Sequence, residues 1–309
     1  MSDPHGFPAP YAMVHQGAVR LALYRWPAPQ PTAPTVLLVH GYPDSARVWQ
    51  RTAEVLARKH RVYAYDVRGA GASSAPTRTR DYAYAELMRD LAAVIDAISP
   101  DAPVHLVAHD WGSIQSWEAV CDPGLAARIA SFTSMSGPSI DHVAYWLRQR
   151  LATRSLAGVG DVLRQLAHSW YVLLFQLPLL APATWSLFLG RRWHRLLTRL
   201  EGLRTEPSPT QTGDGRHGIA LYRANVPQRL FDPQPRHTEV PVLLLQALRD
   251  PFMVAGVFDG LEAWAPRLSR REIDAGHWLP LSAPMAIARE IEAFIAHQAG
   301  PQTRRRPRR

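Results

Sequence analysis

The sequence predicts an α/β domain in which a mostly parallel, doubly wound sheet carries an inserted helical cap. Three observations lead there. Short apolar runs bounded by turn residues alternate with amphipathic helical stretches as far as Met135, the pattern of parallel strands joined by crossover helices. The alternation stops between Pro138 and Pro235, where there are only helical stretches rich in Leu, Trp and Arg, and it resumes at Val240. A chain of 309 residues, 47% of them hydrophobic, is large enough to bury the core of one such domain.

In chain order, residues 1–12 read as a loose arm, and the alternating stretch His15–Trp26 as one strand closed by the turn Pro27–Pro34. Thr35–His40 (TVLLVH) is a continuous apolar run, the mark of a central strand covered on both faces. After the turn Gly41-Tyr42-Pro43-Asp44 come a helix over Val48–Ala57, a strand over Arg61–Tyr65 and a loop with Asp66, Arg68, Gly69, Gly71 and Ser73. That loop lacks the spacing of a dinucleotide fingerprint, so no phosphate role is expected of it. A helix over Tyr84–Ile98 and strands over Val104–His109 and Ile129–Met135 follow. The next stretches are helical and are broken by Pro178, Pro182 and Pro207. Beyond them the pattern gives a strand over Val240–Ala247, a helix over Val257–Trp264, a short strand over Arg271–Ile273 and a last helix over Pro284–His297. The expected organisation is therefore a sheet domain in two parts, 1–137 and 237–299, a helical cap over 138–236 and a disordered basic tail over 300–309.

The formal charge of +9 suggests nucleic acid until its location is considered. Arg304, Arg305, Arg306, Arg308 and Arg309 supply five of the charges, and without them 30 basic residues face 26 acidic ones. A proline-broken arginine run cannot bury apolar area, so a solvated tail is expected, with no specific nucleic-acid partner. The single cysteine, Cys121, excludes an internal disulfide and reads as a helix packing residue. The start MSDPHGFPAP carries no secretory pattern, and a cytoplasmic setting is expected. Gln165–Gly190 has no Asp, Glu, Lys or Arg across 26 residues, more than the roughly 20 that span a bilayer. Pro178, Pro182, His168 and Gln176 argue against a span and for a buried cap. A lipid-facing cap making peripheral membrane contact is the competing reading.

The chemistry centres on VHLVAHDWGS at 104–113, a strand, a sharp turn and a helix with Asp110 at the apex. AHDWG keeps the spacing of a G-x-S-x-G nucleophile elbow and puts a carboxylate where serine would stand. Such an elbow works with a later acid and a still later histidine. Asp250 directly follows a late strand, and His277 lies in a loop before the final helix. Asp141 is the rival acid. A carboxylate is ionised at neutral pH and needs no base to become a nucleophile. Its attack on saturated carbon bearing a leaving oxygen or halide gives an alkyl ester, which a water activated by His277 can hydrolyse. The backbone N–H groups of Tyr42 and Trp111 are the expected oxyanion donors. Neither a metal nor a cofactor is called for.

HGYPDS (40–45), DVRGAGAS (66–73), AHDWGS (108–113), RDPF (249–252) and AGHW (275–278) together resemble the epoxide hydrolases of the α/β-hydrolase fold, nearly as far as His297. Ala108, where glycine is usual, is a small departure. The resemblance implies that water is added to an epoxide, giving a vicinal diol through an ester on Asp110, and the Leu- and Trp-rich cap favours a lipophilic one. It also implies two cap tyrosines that hold and protonate the epoxide oxygen. SWYVLLFQLP (169–178) is similar to the first tyrosine segment through Tyr171, and ALYRANV (220–226) to the second through Tyr222, while Tyr145 reads as packing. The motif set is shared with haloalkane dehalogenases, in which Trp111 would hold halide. A catalytically idle ligand binder of the same fold is the third reading. The cap also looks like the hydrolase half of bacterial proteins fused to a short-chain dehydrogenase, with the tail at the place of a linker.

Overall fold

The computed structural model describes residues 6–299. The tail expected over 300–309 and the first five residues of the arm lie outside them. Eight strands are present: β1 (Ala12–Gln16), β2 (Val19–Arg25), β3 (Thr35–Val39), β4 (Arg61–Tyr65), β5 (Val104–His109), β6 (Ile129–Met135), β7 (Val242–Ala247) and β8 (Leu268–Ile273). They form one sheet in the order β1-β2-β4-β3-β5-β6-β7-β8. β1 and β2 pair antiparallel with their neighbours, and every other pairing is parallel.

The order follows from burial. All five residues of β3 are buried, and β3 lies inside the sheet between β4 and β5. Side chains alternate across it. Val36 and Leu38 join one core cluster with α1 (Gln50–Leu56) and the late helix Pro284–Ala299, whereas Leu37 and Val39 join a second with the helix Tyr84–Ile98. The sheet is thus covered on both faces, as the doubly wound reading requires.

Three local expectations are corrected. His15–Trp26 does not form one strand; the chain reverses at Gly17 and Ala18, with Gln16 paired to Val19. A two-residue turn preserves period-two alternation, so the pattern runs through it unbroken. The helix expected over Val257–Trp264 is two 3-10 turns, Ala255–Phe258 and Leu261–Ala263, separated at Gly260. The short strand begins at Leu268, three residues earlier than its pattern suggests.

Further helices in chain order are α2 (Tyr84–Ile98), α3 (Trp111–Cys121), α4 (Pro123–Ala126), α5 (Ile140–Ala152), α6 (Leu156–His168), α7 (Trp170–Phe175), α8 (Leu180–Thr184), α9 (Gly190–Glu201), α10 (Gln211–Phe231), α11 (Leu279–Ser282) and α12 (Pro284–Ala299). Those from α5 to α10 lie between β6 and β7. Among the described residues no helix is long and apolar enough to cross a membrane. The charge-free run is split among α6, α7, α8 and a π turn at Trp185–Leu189. Its expected burial is only partial: Phe175, Ala181 and Trp185 enter the core, while Trp170, Leu173, Leu179 and Phe188 are exposed.

Polar ties hold α5–α10 to the sheet. Tyr42 Oη donates to Gly215 O at 2.9 Å, and Asn225 accepts from Tyr84 N at 2.9 Å and donates to Tyr82 O at 3.0 Å. A Cβ on Gly218 would lie 2.5 Å from the Tyr42 ring, so the close approach of α10 to the β3 turn needs glycine there. At the far end Asp141, fully buried, accepts from Gln234 N at 2.7 Å and Arg236 Nε at 3.1 Å. Glu118 of α3 joins the same network through Arg229 at 2.8 Å and Arg236 at 3.0 Å. Removing one partner of a buried ion pair leaves the other uncompensated. Asp141→Ala should therefore lower the unfolding free energy by about 3 kcal/mol in urea denaturation, and a wild-type midpoint would contradict this account of how the helices are anchored.

Candidate active site

The site lies where parallel strands end. Between β5 and α3 the chain turns at Asp110, with φ 50° and ψ −124°. A non-glycine residue in such a conformation costs about 1–3 kcal/mol and persists only where its surroundings enforce it. Asp110 N donates to Met135 O at 2.9 Å, and Ile114 N to Asp110 O at 2.8 Å. The helix starts hard against the sheet, since a Cβ on Gly112 would lie 2.3 Å from Val39 O. Ala108 is fully buried in β5, and its methyl group is accommodated there.

The carboxylate lifted by this turn is 7% exposed. Its Oδ1 accepts the Tyr42 N–H at 2.6 Å, and its Oδ2 lies 3.6 Å from His277 Nε2. The other ring nitrogen, Nδ1, is 2.9 Å from Asp250 Oδ2. Asp250 is itself fixed, because its Oδ1 accepts from Phe252 N at 2.9 Å and Met253 N at 3.3 Å. Three side chains from the ends of β5, β7 and β8 thus stand in a line, carboxylate, histidine and second carboxylate, the arrangement of a catalytic triad. The other candidate acid, Asp141, does not reach this line, since its two oxygens accept from Gln234 N and Arg236 Nε.

Electrostatics follow from this line. Burial pulls the His277 imidazole down, but the charge of Asp250 and the bonds to Asp110 and Asp250 outweigh it and push it up to about 10. Burial works to raise Asp250, and the His277 charge together with the Phe252 N–H hold it below the ordinary carboxylate range. His277 is therefore an imidazolium while Asp110 is ionised, and it loses part of that support if the Asp110 charge is removed.

In front of the line opens a cavity of about 170 Å³. Asp110 and His277 form its polar floor, and Trp111, Tyr171, Tyr222, Phe252 and Val226 belong to its wall. Tyr171 and Tyr222 meet edge to face at 6.0 Å, and Tyr222 lies 4.8 Å from the Trp111 ring. Burial raises both phenols most, the Asp110 charge adds to it for Tyr171, and Tyr171 and then Asp110 add to it for Tyr222, so both stay protonated near neutral pH. The two cap tyrosines are thus brought to the nucleophile from α7 and α10. Tyr145 is not: its ring stacks on Trp264 at 4.9 Å and its hydroxyl donates to Pro233 O at 3.1 Å. Cys121 stands half-buried at the end of α3, where burial pushes its thiol up to about 12, in keeping with packing. Trp111 is the first residue of α3, and its N–H is one of the donors a helix leaves without an intrahelical partner.

Sequence reasoning missed His109. Its Nε2 donates to the backbone oxygen of His277 at 2.8 Å, and the two rings lie 5.1 Å apart. Burial and the His277 charge lower it to about 4, so it remains neutral and holds the histidine loop by a hydrogen bond alone. The bond joins positions 168 apart, a separation that no local pattern signals. The Tyr42 hydroxyl was missed for the same reason, since only its N–H follows from the turn motif.

The description "alpha/beta hydrolase fold" matches residues 34–284. "Probable oxidoreductase EphD" of Mycobacterium tuberculosis is 36% identical over 299 residues, 93% of this chain and 49% of that protein. The chain thus spans about half the length of the first curated relatives it matches. "Epoxide hydrolase 3" of Xenopus tropicalis is 28% identical over 279 residues, 85% of this chain and 71% of that one. Among solved structures, an epoxide hydrolase of Bacillus megaterium in complex with an inhibitor superposes with a TM-score of 0.75 at 18% identity, covering 92% of this chain and all of that one.

The coupling of Asp110 to His277 has a measurable consequence. Asp110→Asn removes one of the groups holding the imidazolium, and His277 should titrate below the value of about 10 when followed by NMR. An unchanged His277 titration would exclude the coupling. The raised value also carries a sign for stability. The imidazolium contribution is fully present below about pH 6.5 and is lost as the pH rises through about 10, so wild type should lose stability relative to His277→Gln across that window.

Proposed function

The chain belongs to the α/β-hydrolase fold family, and on that premise we propose that it is an epoxide hydrolase acting on a lipophilic epoxide. The observation that carries the reading is a carboxylate nucleophile and two protonated phenols in one largely apolar cavity. A nucleophilic carboxylate selects saturated carbon. Proton donors on the far side of the cavity are needed when the leaving atom is oxygen, because epoxide opening develops an alkoxide, whereas halide departs without a proton.

Asp110 Oδ2, the oxygen nearer His277, forms a bond to one epoxide carbon as the carbon–oxygen bond of the ring breaks. Tyr171 and Tyr222 hold that oxygen and supply its proton, giving a hydroxyalkyl ester. Ester formation consumes the Asp110 charge. His277 then loses one of its supports and passes its proton, through solvent, to the phenolate that the donating tyrosine has become, which restores the phenol and leaves a neutral imidazole as the base for the second step. It takes a proton from water, the water oxygen attacks the Asp110 carbonyl carbon, and the oxyanion develops on Oδ1, already the acceptor of the Tyr42 N–H. The Trp111 N–H is the second donor, and each such donor is worth about 3 kcal/mol. Collapse of the intermediate releases the diol and restores the carboxylate. Asp250 acts through His277 by fixing its orientation and its charge.

One observation favours the dehalogenase reading: the Trp111 indole N–H is buried in the cavity wall with only the Tyr222 hydroxyl, among the described residues, nearby as an acceptor, and it is chemically suited to halide. The two phenols favour the epoxide. A cytoplasmic setting and peripheral contact of the cap with lipid belong to the same proposal, the latter because a lipophilic substrate partitions into membranes.

His277→Gln exposed to a terminal aryl epoxide should accumulate a hydroxyalkyl ester on the peptide containing Asp110, detectable by mass spectrometry. A plain alkyl ester from alkyl halides, with none from epoxides, would establish the dehalogenase instead. Tyr171→Phe and Tyr222→Phe should each lower the rate of ester formation by about 10²-fold or more, with fluorescence-detected substrate binding largely kept.

A further inference from the structure

The α5–α10 region carries a second apolar surface, outside the cavity. Along α6, α7 and the turn after it, Leu156, Val159, Leu163, Leu166, Trp170, Leu173 and Leu177 recur at intervals of three and four residues, the spacing of an apolar helical stripe. In a globular domain such a stripe is ordinarily the buried one. Here all seven are exposed, Leu156 to 94% and Leu173 to 73%. The following helical run keeps the pattern: Leu180, Leu187 and Phe188 are exposed, and Arg191, Arg192 and Arg195 follow within two turns, exposed as well. No Asp, Glu, Lys or Arg interrupts Gln165–Gly190. Arg191, Arg192, Arg195 and Arg199 make no ion pair among the described residues.

An apolar surface that is free of charge from Gln165 to Gly190, carries only the paired Asp161 and Arg164 before it and is bordered by unpaired guanidinium groups after it, matches one chemistry closely. Leucine and tryptophan side chains suit the acyl boundary of a bilayer, while arginines one turn away reach phosphate oxygens. A second copy of the chain fits less well, because a two-fold contact on this face would bring the same unpaired arginines together. The surface is also continuous with the active site: Leu166 and Leu173 are exposed and at the same time form part of the cavity wall.

We propose that the surface made by α6, α7, α8 and the start of α9 docks on an anionic lipid bilayer, so that a lipophilic substrate enters the cavity from the membrane past Leu166 and Leu173. The docking stands on the surface alone; the substrate's route rests on the epoxide hydrolase reading.

The test is sedimentation of the full chain with vesicles of phosphatidylcholine, with and without about a third phosphatidylglycerol. The mixed vesicles are expected to bind about tenfold more tightly. The double variants Leu163→Gln with Trp170→Gln, and Arg191→Gln with Arg192→Gln, should each weaken that binding by about tenfold or more. None of these four lines the cavity, so turnover of a small water-soluble epoxide and the circular dichroism spectrum should stay as in wild type. Asp110→Ala, inactive on any epoxide, should bind the vesicles like wild type, which keeps a failure of turnover separate from a failure of docking. The proposal is overturned if wild type ignores both vesicles or if both double variants bind as wild type does. It is equally overturned if binding disappears only on replacing Arg304–Arg309 by glutamine, or if light scattering finds a dimer that Leu163→Gln with Trp170→Gln converts to a monomer.

Discussion

A single negative charge, held at the Asp110 apex in a largely apolar cavity, is the constraint on which the rest depends. An ion removed from water needs compensation. Here it comes from the Tyr42 N–H at 2.6 Å and from the His277 imidazolium at 3.6 Å, with Asp250 behind it. The same charge raises the phenols of Tyr171 and Tyr222. The groups around Asp110 are therefore not independent. Whatever neutralises the carboxylate lowers His277 toward the neutral imidazole and lowers the two phenols with it.

The backbone is arranged to make that charge possible. A strained turn at Asp110, α3 pressed against β3 at Gly112 and the hydrogen bond from His109 to the His277 carbonyl bring three strand ends to one point. The helices between β6 and β7 then close the site. They are attached by polar ties at Tyr42, Asn225 and the Asp141–Arg236 network. Their inner side carries aromatic rings into the cavity, and their outer side carries leucines into solvent. The region is thus amphipathic in an unusual sense, apolar toward both the site and the exterior, with arginines at the border.

Much of the sheet was legible in the sequence because buried parallel strands leave continuous apolar runs, as in Thr35–Val39 and Val242–Ala247. Where the pattern misled, a local cause exists. A two-residue turn kept the alternation in phase and hid the hairpin before Arg25, and Gly260 broke an apolar stretch that looked helical. The charge-free run Gln165–Gly190 read as buried because apolar composition does not say which side of a helix meets a partner, and much of it meets none.

The chemistry on offer is written in the order of residues: a carboxylate at an elbow, a late acid, a later histidine and two tyrosines in a helical stretch. Residue type and the turn after each strand are local properties, so they are readable in order. How those groups are shared out follows instead from the packing of the folded chain. That packing gave His277 to Asp250, 27 residues away, and committed Asp141 to Gln234 and Arg236, 93 and 95 residues away, because the choice depends on where the chain segments come together. It also added His109 as a support and turned a leucine stripe outward. Those outcomes are set by packing between distant segments, and periodicity carries no information about that.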